Sequence, residues 1–348
     1  MKQKINFSIC IPNFNYAHYI GETIESVLTQ SYPHFEIVIV DNASTDSSWE
    51  VIQRYAAKDA RIRIYKNNYN VGFAPNLDKA ASKAQNDFVL LLSSDDLLEE
   101  HALEKVAAVI QHNPALAKNC LIGVGNYIVD EHSIKQKHDL NPFPYCSNSL
   151  SKNTVEGVDV FLYDGFQVFK EIFPRFGTPA AFCGTFYSKA LYDLVEGYSS
   201  VNLIGPDAHF AYKCLLSGAN VLYMDQPLVC YRMHFNAQIG TSMKNKSLNI
   251  PVDRYIFSNY YSDGQLNKAG VNRKDFIKAT VKEDCIRAAF IQLSKGNYLY
   301  AWRHWLFALA AYPQEAIKLF EFYWFILFGL TGPIGKLMIN VVLKLKKR

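Results

Sequence analysis

Short apolar runs alternate with amphipathic stretches through the first hundred residues. Residues 7–11 form a β-branched run stopped by Pro12, and residues 18–30 carry Ile20, Ile24, Val27 and Leu28 at helical spacing, with Pro33 just beyond. Residues 35–40 are continuously apolar, and the polar turn 41–47 supplies caps for a helix over 49–57. A strand at 62–65, a helix over 75–84 and a strand at 88–92 complete the series. Fully apolar strands alternating with amphipathic helices predict an α/β domain whose mostly parallel sheet is covered on both faces. Ligands of such sheets gather at the carboxyl ends of the strands. Asp41-Asn42 and Ser93-Ser94-Asp95-Asp96 fall on that edge.

The pattern loosens over 121–231, where strands such as 221–224 mix with loops rich in aromatic residues, glycine and proline. Beyond about residue 242 it becomes helical, and 278–293 with 298–311 read as a hairpin joined at Gly296-Asn297. The expected organisation is an α/β domain over 1–241 and a helical C-terminal region over 242–348. Residues 320–343 are strongly apolar and are followed by Lys344, Lys346, Lys347 and Arg348. Gly332-Pro333 and Lys336 interrupt that run, so the expectation is association with one membrane face rather than a span. The competing reading is a helical cap that packs its apolar side on the rest of the protein.

A chain of 348 residues with 49% apolar and 20% charged positions can bury a large core, and disorder does not dominate it. The net charge of +4 gives no ground for a nucleic-acid partner. Seven scattered cysteines without CxxC spacing suggest neither a disulfide framework nor a zinc site, and most read as small core residues. The N-terminus runs into the first strand without an apolar leader, so a cytoplasmic location is expected.

Adjacent acids at a buried sheet edge repel unless a cation lies between them and a ligand. Mn²⁺ or Mg²⁺ bridging a carboxylate to a diphosphate meets that need. Taken alone, Asp95-Asp96 would more often cap a helix beginning near Leu97. The surroundings shift the weight. Ser8-Ile9-Cys10-Ile11-Pro12-Asn13-Phe14-Asn15, Tyr19-Ile20, Ser26-Val27-Leu28-Thr29-Gln30-Ser31-Tyr32 and Glu36-Ile37-Val38-Ile39-Val40-Asp41-Asn42-Ala43-Ser44-Thr45-Asp46 resemble the opening of the family 2, GT-A-fold glycosyltransferases. Asn70-Val71-Gly72 with Asn76, and Leu91-Leu92-Ser93-Ser94-Asp95-Asp96, continue the resemblance in the family's order and spacing. It is dense over the first hundred residues and sparser over about 178–238.

The resemblance implies a GT-A, Rossmann-like domain that binds a nucleotide-sugar donor. Pro12, Asn13, Phe14 and Asn15, with Asp41, Asn42 and Asn76, would hold the donor. Asn42 stands where an acid is frequent, which leaves the identity of the pyrimidine open. Asp95 would contact ribose or donor sugar and Asp96 would ligate Mn²⁺ or Mg²⁺. Ser93 departs from the family, since many relatives carry a further acid there. Asp207, in Gly205-Pro206-Asp207, would be the catalytic base, with Pro206 replacing a frequent glutamate. The competing reading makes Asp207 the N-cap of a helix over 208–216. In Tyr231-Arg232-Met233-His234, His234 would ligate the metal or contact the diphosphate and Arg232 would place positive charge beside the leaving group. Gly184, Phe182 and Phe186 fall where relatives line the acceptor pocket, or else are a turn glycine and core aromatics.

The function these residues imply is inverting transfer of one sugar from a nucleoside-diphosphate sugar, UDP foremost. The acceptor would be a glycan or lipid-linked glycan at the cytoplasmic face of the inner membrane, in capsule or O-antigen assembly. No Gln-x-x-Arg-Trp signature of processive synthases occurs. Two rivals remain: transfer onto a polyprenyl phosphate, and a non-catalytic membrane scaffold. Ser93 and Pro206 favour the scaffold, whereas Asp95, Asp96, Asp207 and His234 converge on one reaction and oppose it.

Overall fold

Four of the apolar runs become the parallel strands β1 (Phe7–Asn13), β2 (Phe35–Asp41), β3 (Ile62–Lys66) and β4 (Phe88–Leu91), paired in the order β3-β2-β1-β4. The computed structural model describes residues 4–140, 149–175, 177–198, 203, 205–233, 249–333 and 335–337. Every residue of β1 and β4 is buried, as covered parallel strands require. Helices α1 (Ile20–Leu28), α2 (Ser48–Ala56) and α3 (Phe73–Ser82) follow the first three strands. The helical spacing works as the sequence implies: α1 buries Ile20, Thr23, Ile24 and Val27 along one stripe.

The second half of the sheet is mixed. After β5 (Leu97–Leu98), α4 (Ala102–His112) and α5 (Pro114–Ala117) come β6 (Cys120–Val129), β7 (Lys135–Leu140), β8 (Ser151–Val155) and β9 (Val158–Tyr163). Then follow α6 (Gly165–Ile172), β10 (Thr185–Ser188), α7 (Lys189–Leu194), α8 (Pro206–Leu216) and β11 (Asn220–Arg232). The sheet runs β3-β2-β1-β4-β10-β6-β11-β9-β8, with β10 antiparallel to both neighbours and β11 parallel to β6. The pairing that matters for chemistry is β5 on β11, Leu97 opposite Cys230 and Leu98 opposite Val229. It pins the turn carrying Asp95 and Asp96 against the end of β11. It also removes the cap reading: Leu97–Leu98 is strand, and the next helix begins only at Ala102.

The chain divides into two compact units, Met1–His234 and Phe235–Arg348. The boundary expected at residue 241 lies within 234–248, outside the described residues. In the second unit, helix Arg273–Thr280 runs through a π-helical stretch, Val281–Arg287, into helix Ala288–Ser294. Gly296, at φ +80°, turns the chain into helix Tyr298–Ala311, which gives the expected hairpin. Cys285, Ala289, Leu293, Ala301, Trp305 and Phe325 form its core. The apolar run from residue 320 is helical over Phe320–Leu330 and turns at Gly332, φ +53°. Among the described residues, no helix is long and apolar enough to cross a membrane. The six described cysteines are buried and free, as core residues.

Candidate active site

The carboxyl ends of β1 and β2 are tied together by side chains. Asn13 Nδ2 donates to Asp41 Oδ1 at 2.9 Å and to Ser44 Oγ at 3.2 Å. Ser44 closes a turn on Asp41, its N–H donating to Oδ2 and its hydroxyl to Oδ1. Asn15, at φ +59°, donates its N–H to Ser44 Oγ and accepts from Thr45 N. Asparagine is one of the few residues that take that conformation readily. Pro12 and Asn13 are buried at the strand end, while Phe14 and Asn15 are exposed beside them. Asn13 Oδ1 is buried without a hydrogen-bond partner among the described residues.

Asn42 and Asn76 are placed differently from the expectation. Asn42 Nδ2 donates to Asn70 Oδ1 and Gly72 O, and its Oδ1 accepts from Asn67 Nδ2 and Val71 N. All four valences of the amide are taken, so it has none left for a base. Asn76 Nδ2 donates to Val40 O and its Oδ1 accepts from Asn67. Both asparagines hold the 67–72 loop and α3 against β2. Gly72, at φ +93°, supplies the conformation that lets its carbonyl face Asn42.

Asp96 is almost fully buried, and Asp95 nearly so. Asp96 Oδ1 accepts the Arg232 backbone N–H at 2.8 Å. Its Oδ2 is buried with no hydrogen-bond partner of normal geometry among the described residues, although Cys183 and Ser93 flank the carboxylate. Burial first, and the Asp95 charge second, push the Asp96 carboxyl well above the usual range. A buried oxygen left without a good partner costs about 1–3 kcal/mol, and an ordered water or a bound ion is what meets it. Among the described residues, no three of His, Cys, Asp and Glu converge closely enough to hold a metal by themselves.

Arg232 also departs from the expectation. Its guanidinium is fully buried: Nε donates to Asp95 O at 2.7 Å, Nη1 to Ser133 Oγ at 2.9 Å and Glu131 O at 3.2 Å, and Nη2 to Glu22 Oε2 at 2.8 Å. The Tyr19 ring lies 4.8 Å from its carbon centre. The charge is spent on protein groups rather than offered to a leaving group. Arg232 binds the acidic turn to α1 and to the β6–β7 turn.

Asp207 lies in the first turn of α8, half-buried, and Gly205 is the N-cap. The cap reading therefore falls. Burial raises its carboxyl, against its own and the Ala208 N–H groups, which lower it. Tyr231 joins this acid to the pair: burial, then the charges of Asp96, Cys183, Asp95 and Asp207, all raise its hydroxyl. Tyr16 is raised by burial and by Asp95 and Asp96. Asp95, Asp96 and Asp207 thus share one electrostatic neighbourhood with Tyr16 and Tyr231. His234 lies outside the described residues. Gly184 ends a 3-10 turn, Phe182–Gly184, packed on β6 and β11, where a Cβ would meet Val124 and Val229 at 3.2–3.3 Å. Phe186 is core, 5.9 Å from Phe7, and cannot stack on a sugar.

Ser44, Tyr16, Cys183 and Glu22 join the site without having been singled out. Only Ser44 carried a sequence signal, the Asp-x-x-Ser spacing of a side-chain-closed turn. Glu22 and Cys183 look like an ordinary helix-surface acid and core thiol.

Residues 8–173 match the family described as glycosyl transferase family 2. TuaG of Bacillus subtilis, named provisionally as a teichuronic acid biosynthesis glycosyltransferase, is 32% identical over 162 residues, 45% of this chain and 61% of that protein. Glycosyltransferase GlyA of Streptococcus pneumoniae serotype 4 is 24% identical over 229 residues, 65% of this chain and 30% of that protein. The chain therefore spans less than two thirds of either relative. Among solved structures, S. aureus TarS 1–349 in complex with UDP-GlcNAc superposes with a TM-score of 0.59 at 15% identity, covering 95% of this chain and 89% of that one. Mannosyltransferase PcManGT from Pyrobaculum calidifontis, in complex with GDP-Man and Mn²⁺, gives 0.53 at 15% identity, covering 89% and 76%. At such identities the likeness is one of fold, and the fold is GT-A.

Proposed function

Residues 8–173 carry the family 2 glycosyltransferase pattern, and from that premise we propose that the chain transfers one sugar, with inversion, from a nucleoside-diphosphate sugar to a carbohydrate acceptor. The observation that carries the reading is the buried Asp95-Asp96 pair at the carboxyl edge, both acids and the half-buried Asp207 acting on the Tyr231 hydroxyl. The acceptor hydroxyl attacks the anomeric carbon, its proton passes to a carboxylate oxygen of Asp207, and the bond from anomeric carbon to diphosphate oxygen breaks. Burial raises the Asp207 carboxyl toward the range of an effective base.

Asp96 would hold a Mn²⁺ or Mg²⁺ ion together with the donor's own phosphates, and the ion would neutralise charge on the diphosphate. Asp95 would hold the donor's ribose or sugar. Asn13, Phe14, Asn15 and Asp41 would form the base edge, where the free Asn13 Oδ1 can accept from a base N–H. His234 and the backbone of Arg232 would complete the site. UDP is the favoured nucleotide, supported by the sequence resemblance and by a fold neighbour that binds UDP-GlcNAc. The provisional name of TuaG supports a role in cell-surface polysaccharide assembly. A lipid-linked glycan at the cytoplasmic face of the inner membrane is the corresponding acceptor.

The test is release of nucleotide from UDP-, dTDP- and GDP-sugars with Mn²⁺ or Mg²⁺. One donor should be hydrolysed slowly in a metal-dependent way, and Asp96→Ala should weaken both turnover and nucleotide binding. If no nucleotide or nucleotide sugar binds in calorimetry, the reading fails and the non-catalytic scaffold takes its place.

A further inference from the structure

The helix Phe320–Leu330 is apolar on both sides. Its inner side is fixed within the C-terminal unit: Trp305 stacks on Phe322 at 4.4 Å and Trp302 meets Phe325 edge-on at 5.1 Å. Gly329 lets Trp302 approach so closely that a Cβ would meet it at 2.9 Å. That side accounts for the folding of the helix. The outer side is a second stripe at helical spacing. Phe320 (70%), Tyr323, Trp324, Leu327 and Leu330 (74%) are all exposed, and Ile317 extends the row. Glu321 is the one charged residue of the helix. Such a stripe has no role in the core, and soluble proteins seldom leave one bare.

Charge identifies what covers it. Residues 235–348 hold 17 lysines and arginines against 7 aspartates and glutamates, a net of +10, whereas residues 1–234 carry a net of −6. The overall value of +4 hides this division. A basic unit bearing an aromatic and leucine stripe matches an anionic lipid surface, with the rings at headgroup depth and the cations outside them. The same charge opposes pairing with a second copy of the unit. Eleven residues rise about 16 Å, roughly half the hydrocarbon thickness, so the helix lies along the surface instead of crossing it.

We propose that the Phe320, Tyr323, Trp324, Leu327 and Leu330 face is a docking surface for an anionic lipid bilayer. It deepens the membrane placement given above and rests on that placement for the direction in which the acceptor lies. The binding itself stands on the stripe and the charge.

The experiment is co-sedimentation of the full chain with phosphatidylglycerol-containing vesicles and with phosphatidylcholine vesicles. Binding should favour the anionic vesicles by about ten-fold or more and should weaken in about 0.5 M salt. The double variant Trp324→Glu and Leu327→Glu should lose at least about ten-fold in binding. Its melting temperature and its donor hydrolysis in vesicle-free solution should stay unchanged. Quenching of tryptophan fluorescence by brominated lipid should largely disappear in Trp324→Phe. The proposal is overturned if the double variant binds vesicles like the parent protein. It is equally overturned if that variant only converts a dimer to a monomer and leaves vesicle binding intact. A chain that hydrolyses no donor yet docks through the stripe would keep this inference and sink the catalytic one.

Discussion

Asp207 is the second residue of α8, after Pro206, and its carboxylate meets its own and the Ala208 N–H groups at the open first turn. Burial raises its proton affinity, and for a general base that shift improves the match to the proton it must accept. The rate should therefore fall as pH drops through this raised value, since protonated Asp207 cannot take the acceptor proton. Asp207→Asn should lower kcat with acceptor by about 10²–10⁴-fold and leave donor binding nearly unchanged. A pH–rate profile and calorimetric donor titration of the two proteins check this. An asparagine variant with the parental rate and acid limb would remove Asp207 from the chemistry. Asp96 differs in kind: on the proposed reading it faces charge on the donor, so its loss should appear in nucleotide and metal affinity as well as in rate.

At the scale of elements, the site is held by a pairing of two residues. β5 lies on the end of β11, and Arg232, on the last residue of β11, reaches Asp95, Asp96, Glu22 and Ser133 at once. Burial raises the Glu22 carboxyl, but the hydrogen bonds from Ser133 and Arg232 outweigh it and bring its pKa below the ordinary value. Arg232→Lys keeps the charge but loses the planar fork. It should cost on the order of 3 kcal/mol in chemical unfolding and weaken nucleotide binding several-fold. Glu22→Gln should cost less. The double variant should show less than the sum of the two, because both changes break one network. Strict additivity would show that Arg232 and Glu22 act separately. The parallel strands and their helices were legible in the sequence because periodicity is local and both faces of the sheet are covered. β5 was not: two leucines carry no period, and the preceding aspartates looked like a cap. The β8–β9 hairpin hid because the first four residues of β8 are exposed and polar, although Glu156-Gly157 has the positive φ values of a tight turn. The acidic turn stood out in the sequence through the family resemblance. The role of Arg232 did not, since its partners come from segments about 100–210 positions away and no spacing records them.

For the molecule as a whole, the raised carboxyls set a direction for stability against pH. Asp96, Asp207 and Asp284 all have folded values above the ordinary aspartate value, with burial as the first cause. Each binds its proton more tightly when folded than when unfolded. Their contribution is therefore complete below about pH 4 and is lost as pH rises through the folded values. Glu22, Asp46, Asp59 and Glu104 are lowered and act in the opposite sense, losing their contribution as pH falls. Glu104 and Asp59 are on the surface, and exposed pairs of that kind contribute little. The metal-free protein should then melt higher at about pH 5.5 than at about pH 8. Mn²⁺ should raise the melting temperature more at the higher pH, where it meets an ionised Asp96. Asp96→Asn should raise the metal-free melting temperature at about pH 8 and abolish the Mn²⁺ increment, because the amide needs no countercharge. A Mn²⁺ increment that persists in Asp96→Asn would place the cation elsewhere. A metal-free protein that is most stable at about pH 8 would show that buried His209, whose imidazole is lowered to about 4 and which loses its contribution as pH falls below the ordinary histidine value, outweighs the raised carboxyls. The molecule is thus expected to give up stability at the buried Asp96 carboxyl, and to recover it when the donor's cation arrives.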